Sequence, residues 1–249
     1  MLQGRLLKRL RHLGMKSFDE YCNYVFSPEG MTNELVHMID VVTTNKTDFF
    51  REPKHFDFLR NQTLPTLLQS KHKGPLKRLN IWSAGCSSGE EPHTIAMVLA
   101  EFFRRIDAKD FTILATDIST HILAVAKKGI YPEHIVRSVP PSLKHKYLMR
   151  GKSSQTGLCR VIPELRNRIN FQRLNLNDDR KFEIKPQMHI IFCRNVIIYF
   201  DRQTQIRLFE KFYDQLLPGG YMFIGHSETL HGINDRFVPA AVAVYRKPQ

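Results

Sequence analysis

What this 249-residue sequence lacks narrows it first. No apolar run approaches the roughly 20 residues that a helical membrane span requires, so no membrane insertion is expected. The N-terminus is basic but carries neither a signal-peptide apolar stretch nor a cleavage site, and a cytoplasmic protein is the expectation. Cysteine is scarce: Cys22, Cys86, Cys159 and Cys193 are scattered, with no C-x-x-C pair. Neither a disulfide framework nor a zinc site is indicated, and buried, reduced thiols are predicted. Acid is also in short supply. Against 37 Lys and Arg stand 24 Asp and Glu, a formal net charge of +13. That excess implies an acidic partner: nucleic acid, an anionic membrane or an acidic protein surface. No G-x-G-x-x-G is present, which argues against NAD. Internal repeats and low-complexity tracts are missing as well.

Strand signals are missing before residue 79. Residues 1–40 read as helices. Leu6, Leu7, Leu10 and Leu13 make an apolar face, and Arg5, Arg9, His12 and Lys16 recur at steps of four, three and four as a second, basic stripe. Gly14 ends this helix. Ser17 caps the next, with Glu20 at capping-box spacing and Phe18, Tyr21, Cys22 and Val25 facing inward. Pro28-Glu29-Gly30 reads as a turn, and a third helix starts at Thr32 or Asn33. Residues 61–78, with Pro65, Gly74, Pro75 and several lysines, read as a connection between two domains.

With 42% hydrophobic residues the chain can bury a sizeable core. From residue 79 onward strands and helices alternate, which predicts a parallel-rich α/β sheet. The organising stretch is Leu79 to Pro92: a buried apolar strand, the turn Gly85-Cys86-Ser87-Ser88-Gly89, and a helix with Ile95, Ala96, Leu99, Phe102 and Phe103 along one face. Strand, glycine turn and helix start make a nucleotide-type site. Two carboxylates, Glu90 and Glu91, occupy that helix start. They would repel a phosphate and suit hydroxyls or a positive charge. A second strand, 111–117, ends on Asp117, a position suited to ribose hydroxyls or, alternatively, to capping the helix that follows. The turn also matches G-x-S-x-G, with Asp117 and His226 available as triad partners. That hydrolase fold places several strands before its elbow, whereas everything before residue 79 reads as helical. Residues 147–174 break the alternation with a small antiparallel hairpin, and 168–174 returns to the main sheet. His189 to Cys193 is a buried strand, Asp201 caps a helix with Phe209, Phe212, Leu216 and Leu217 on its core face, and strands follow at 221–225 and 238–245.

Five motifs, in this order, are similar to the chemotaxis receptor methyltransferases of the CheR type. They are Thr43-Thr44-Asn45-Lys46-Thr47-Asp48-Phe49-Phe50-Arg51-Glu52, Trp82 to Pro92, Ala115-Thr116-Asp117-Ile118, Phe192-Cys193-Arg194-Asn195-Val196-Ile197-Ile198-Tyr199-Phe200-Asp201, and Gly225-His226-Ser227-Glu228. The resemblance covers nearly the whole chain. It implies an α/β, Rossmann-like methyltransferase domain (79–249) with an inserted antiparallel β-subdomain (147–174), a helical N-terminal domain (1–60) and a linker (61–78). It implies methyl transfer from S-adenosylmethionine to glutamate side chains of chemoreceptors, giving S-adenosylhomocysteine. By motif position, cofactor contacts fall to Asn45, Thr47, Arg51, Gly85, Glu91, Asp117, Asn175, Leu176, Arg194 and Asn195, with Glu91 preferred to Glu90. Arg51 and Tyr199 would face the reacting carboxylate. The basic stripe Arg5, Arg9, His12 and Lys16 would dock an acidic receptor helical bundle. A monomer, no metal and no nucleic-acid partner are expected. Rival readings are a methyltransferase of another substrate such as RNA, and a cofactor-binding regulator without turnover. Two departures from the family pattern are His93, at a usual aromatic position, and His189, where an aspartate usually opens the fourth strand.

Overall fold

A computed structural model describes residues 2–69, 78–104 and 110–249. The chain opens with four helices: α1 (Leu2–His12), α2 (Phe18–Val25), α3 (Pro28–Asn33) and α4 (Leu35–Val42). Leu10, Tyr21 and Val25 form their buried centre, with Leu6, Leu13, Phe18, Leu35 and Met38 packed around it. Ser17 Oγ accepts the Glu20 N–H, and the Glu20 carboxylate accepts the Lys16 N–H. The expected turn at Pro28 is instead the first turn of a helix. Ser27 Oγ accepts the Gly30 N–H, and proline is tolerated in a first turn because no intrahelical bond is lost there.

The basic stripe is not a free surface. Arg9 lies bidentate on the buried Glu34 carboxylate at 2.6 and 2.7 Å, and the Tyr21 hydroxyl donates to the same group at 3.0 Å. Arg5 donates to the Val42 and Thr43 carbonyls at 2.8 and 2.9 Å. Both cations are therefore corrected from docking to internal roles. A one-dimensional stripe cannot show that α4 lies across it. His12 and Lys16 are exposed, as are Lys8 and Arg11. Cys22, expected to be buried, is exposed, while the other three thiols are inside.

Residues 61–69, read as part of a connection, are helical: α5 (Pro53–Phe58) runs through one π-helical turn into α6 (Leu64–Gln69). Phe49, Phe56, Leu59 and Leu64 are buried in the core of the main sheet rather than in the helical N-terminal cluster. The rest of that expected linker, 70–77, lies outside the described residues.

The main sheet begins with β1 (Arg78–Ala84), α7 (Glu90–Phe103), β2 (Asp110–Asp117) and α8 (Thr120–Lys128). A small antiparallel sheet follows, built from β3 (Ile130–Pro132), β4 (Leu148–Arg150) and β5 (Leu158–Val161), with α9 (Pro141–Tyr147) inserted and α10 (Pro163–Arg166) leading out. The expected hairpin is present, but β3 is a third strand contributed from before it. The chain re-enters the main sheet as β6 (Ile169–Arg173), then β7 (Met188–Cys193), α11 (Arg202–Gln215), β8 (Leu216–Ile224), β9 (Val238–Ala241) and β10 (Val244–Arg246). Leu216 and Leu217 belong to β8 and not to the helix. The single strand expected at 238–245 is a hairpin that turns at Ala243, where φ is 57°.

Strand order is β6-β2-β1-β7-β8-β10-β9, with β6 through β8 parallel. Both faces of β2, β1, β7 and β8 are covered, which explains their near-continuous apolar runs, whereas the edge strand β6 is mostly exposed. Leu79, Ile81, Ile190, Phe192, Tyr221 and Phe223 face one cluster; Trp82, Ala84, Ile191, Cys193, Met222 and Ile224 face the other. From β1 the chain first builds outward through β2 and β6, then crosses to β7 on the other side. Such a switch point opens a crevice at the carboxyl ends of the two central strands, where ligands of open α/β sheets bind.

Candidate active site and cofactor cavity

The switch point is where the glycine turn sits. β1 ends at Ala84, and the N–H groups of Gly85 and Cys86 both donate to the Thr116 carbonyl on β2, at 2.8 and 2.9 Å. Gly85 has φ 77°, and a Cβ there would come within 2.5 Å of Val196 Cγ2, so any side chain would strain the backbone and displace Val196. Asp117 closes the turn from the next strand: its carboxylate accepts the Ser87 N–H at 2.9 Å and the Ser119 N–H at 3.1 Å. The helix that follows is capped by Ser119 rather than by Asp117, which instead holds the Ser87 and Ser119 N–H groups and lines a cavity. Burial raises its pKa, and the two N–H groups oppose that rise.

A cavity of about 490 Å³ opens at these strand ends. The chain brings to it all ten residues expected at the cofactor: Asn45, Thr47, Arg51, Gly85, Glu91, Asp117, Asn175, Leu176, Arg194 and Asn195. Tyr199 lines it too, on a short 3-10 turn, and is 62% exposed. The volume lies within the range of small-molecule sites. Glu91 and Glu90, adjacent in sequence, part here. Glu91 lines the cavity and accepts from Ser83 Oγ at 2.7 Å and from Arg194 Nη1 at 3.2 Å. Glu90 instead accepts from Ser88 Oγ at 2.6 Å. Burial raises both carboxyl pKa values, against Arg194 at Glu91 and Ser88 at Glu90.

The sequence profile of the CheR methyltransferase SAM-binding domain matches residues 45–245, and that of the CheR all-α domain matches residues 1–43. The chain belongs to the CheR methyltransferase family. It is 43% identical over 249 residues to the chemotaxis protein methyltransferase of Borreliella burgdorferi, covering 99% of this chain and 86% of that one. It is 39% identical to the probable chemotaxis protein methyltransferase of Rhizobium etli (93% and 85% covered), and 36% identical to the chemotaxis protein methyltransferase of Escherichia coli (98% and 82%). The protein is thus an S-adenosylmethionine-dependent methyltransferase. No helix among the described residues is long and apolar enough to cross a membrane.

The cavity suits the cofactor of this family. Two carboxylates, the half-buried Glu91 and the buried Asp117, offer acceptors to hydroxyls and to an ammonium group, and the turn between them presents no phosphate cradle free of acid. The segment that carries Asn45, Thr47 and Arg51 is held from several sides. Ser87 Oγ donates to the Asn45 carbonyl at 3.0 Å, Arg51 Nη1 donates to the Lys46 carbonyl at 3.1 Å, and Thr94 Oγ1 accepts the Phe50 N–H at 3.2 Å. Arg5 of α1 also lines the cavity.

Residues with no role read from sequence prove to organise the wall. Glu52, in left-handed backbone at φ 58°, accepts from Arg194 Nη2 at 3.0 Å and from the His226 N–H at 3.3 Å. Burial would raise its pKa, but Arg194 outweighs this and the net shift is downward. Arg194 also donates to the Arg51 carbonyl, so one guanidinium ties together β7, α7 and the 43–52 segment. Glu228 accepts the N–H groups of Gly225 and Asn195 at 2.6 and 3.0 Å and fixes the left-handed turn at Asn195. Both glutamates lie inside the family motifs, but Glu52 finds Arg194 142 positions away and Glu228 finds Asn195 33 positions away.

The two departures are absorbed by the fold. His93 is fully buried, with Nδ1 2.9 Å from the Tyr131 hydroxyl, and burial lowers its pKa to about 4, so the ring is neutral. Tyr131 donates to the Ser88 carbonyl at 2.8 Å, which carries the contact to the glycine turn. His189 Nδ1 accepts the Asn80 N–H at 3.1 Å, joining β7 to β1.

Proposed function

We propose that this protein methylates glutamate side chains on the helical cytoplasmic bundle of a chemoreceptor, giving glutamyl methyl esters, and that it acts in the cytoplasm. The observation that carries the reading is the convergence, on one cavity, of four of the five family motifs together with Asn175 and Leu176. Bound S-adenosylmethionine supplies an electrophilic methyl group on a sulfonium leaving group. Asp117 accepts ribose hydroxyls, and Glu91 and the 45–51 segment hold the amino-acid end. A substrate glutamate, with a reference pKa of about 4.3, is ionised at neutral pH and needs no general base.

Positioning then carries much of the rate. Arg51 holds one carboxylate oxygen and leaves the other free to attack in line. Tyr199, on the cavity wall, fixes the orientation of the same group. Carboxylate and sulfonium both lose charge as the new bond forms, so a water-poor cavity favours the transition state over solvated reactants. Exposed Lys8, Arg11, His12 and Lys16 give an acidic receptor surface a complementary face.

Incubation with tritiated S-adenosylmethionine and receptor-rich membranes tests the reading: base-labile methyl esters on the receptor are expected. Label on RNA, or cofactor binding with no transfer to receptor, would replace the proposed substrate.

A further inference from the structure

Behind Arg194, away from the cavity, lies a group of side chains whose two histidines take no part in the cofactor site. Glu52 precedes α5 and His55 follows three residues on, so both side chains leave one end of that helix on one side. His226 comes from the loop after β8. One ligand atom from each of the three lies within 4.8 Å of the others. Glu52 Oε2 is 3.3 Å from His55 Nδ1 and 4.0 Å from His226 Nε2. His55 is 2% exposed, and neither of its ring nitrogens makes a hydrogen bond of ordinary geometry, although the Val242 carbonyl lies near enough to favour a proton on the ring. A buried imidazole left in that state calls for a partner. The His226 side chain is 40% exposed and opens the group to solvent.

We propose that Glu52, His55 and His226 bind a divalent transition metal of the zinc class, and that its occupation inhibits methyl transfer by drawing Glu52 away from Arg194. Two imidazoles and one carboxylate are a donor set for zinc that needs no cysteine. Bonds of about 2.0–2.2 Å in tetrahedral geometry put ligand atoms roughly 3.3 Å apart. The Glu52–His55 pair already stands at that separation, 3.3 Å. His226 has to close from 4.0 Å, and it is a half-exposed side chain on a loop. The guanidinium of Arg194 opposes a cation here, so the metal must take the Glu52 carboxylate in competition with it. Arg194 is not stranded when that happens, because it keeps Glu91 and the Arg51 carbonyl. What it loses is the tie to the 43–52 segment through Glu52, and with it part of the wall that faces the cofactor.

The inhibition rests on the cofactor cavity proposed above; the metal site itself does not. The full chain is titrated with Co²⁺ and Zn²⁺, and S-adenosylhomocysteine affinity is measured with and without Zn²⁺. Expected are one saturable Co²⁺ site with visible d–d bands and no thiolate charge-transfer band, and weaker S-adenosylhomocysteine binding in zinc. His226→Ala should weaken the metal by roughly tenfold or more while S-adenosylhomocysteine affinity without metal stays at the parent level. His55→Gln, checked for folding by circular dichroism, should do the same to the metal. Unchanged Co²⁺ affinity in His226→Ala, thiolate bands tracing to exposed Cys22, or metal binding that leaves S-adenosylhomocysteine affinity untouched would overturn the inference. These arms use no methyl acceptor, so failure of receptor methylation would count against the proposed substrate alone.

Discussion

At the residue scale, Asp117 and Tyr199 separate binding from turnover. Asp117 already serves two backbone N–H groups, so Asp117→Ala would damage the turn as well as the ligand contact. Asp117→Asn keeps the shape and removes the charge, but its amide nitrogen cannot accept, so one of the two N–H groups loses its partner at some cost in thermal stability. S-adenosylhomocysteine binding should weaken by about 1–3 kcal/mol, the worth of a charged hydrogen bond. Calorimetry giving parent affinity in a folded Asp117→Asn protein would remove Asp117 from the cofactor. Tyr199→Phe should lower kcat for receptor methylation and leave cofactor affinity in place, because the side chain is largely exposed. A Tyr199→Phe enzyme with parent kcat would show that the hydroxyl does not orient the carboxylate. The placement of Asn45, Asp117 and Tyr199 on one cavity was legible because each sits in a contiguous motif. Glu52 lies in such a motif too, yet its role was invisible, because its partner Arg194 is 142 positions away. Contiguity can be read in one dimension; an ion pair across the fold cannot.

At the scale of elements, the parallel strands were legible because a short apolar run bounded by turn residues matches little besides a buried strand, whereas β3, the β9–β10 hairpin, short helices and strand ends were not. Pro28 reads as a turn until Ser27 is seen capping the helix that starts there. Leu216 and Leu217 continue the apolar face of α11 in sequence, but the backbone has already turned into β8. The four-helix unit has one buried ion pair at its centre, and it should respond to pH accordingly. Burial tends to raise the pKa of Glu34, but hydrogen bonds from Arg9 and Tyr21 outweigh it and the net shift is downward. A carboxyl whose folded pKa is depressed stabilises the fold above its unfolded pKa of about 4.3, and the contribution is lost as pH falls through the folded value. Arg9→Met removes the counter-charge and leaves Glu34 at 2% exposure, at a cost of about 2–4 kcal/mol. It should also shift the titration: with Arg9 gone, burial is opposed chiefly by the Tyr21 hydroxyl, so Glu34 titrates higher than in the parent and mild acid harms the variant less. Melting of parent and Arg9→Met proteins between neutral pH and mild acid measures this. Parallel pH profiles in the two would mean that the pair does not hold the unit together.

For the whole molecule, the net charge of +13 has to be divided between internal work and surface. Arg9 is taken by Glu34, Arg5 by the carbonyls leading into the cofactor segment, and Arg194 by two glutamates. The cations of α1 and the turn after it that still face solvent are Lys8, Arg11 and Lys16, with His12 beside them. If receptor docking is electrostatic, it runs through these and acts chiefly on the association rate. Its reach contracts from about 10 Å at 0.1 M salt to about 3 Å at 1 M. Reversing Arg11 and Lys16 to Glu should therefore raise the apparent KM for receptor, flatten its salt dependence and leave S-adenosylhomocysteine affinity unchanged. Arg5→Glu should behave differently, because Arg5 lines the cavity and anchors the chain before Asn45. It should weaken the cofactor at every salt concentration. Measuring both variants separates a docking face from a structural clamp on the same helix. If the Arg11 and Lys16 double variant methylates receptor normally across salt, docking rests elsewhere, and exposed Arg150, Lys152 and Arg160 of the inserted sheet become the surface to reverse next.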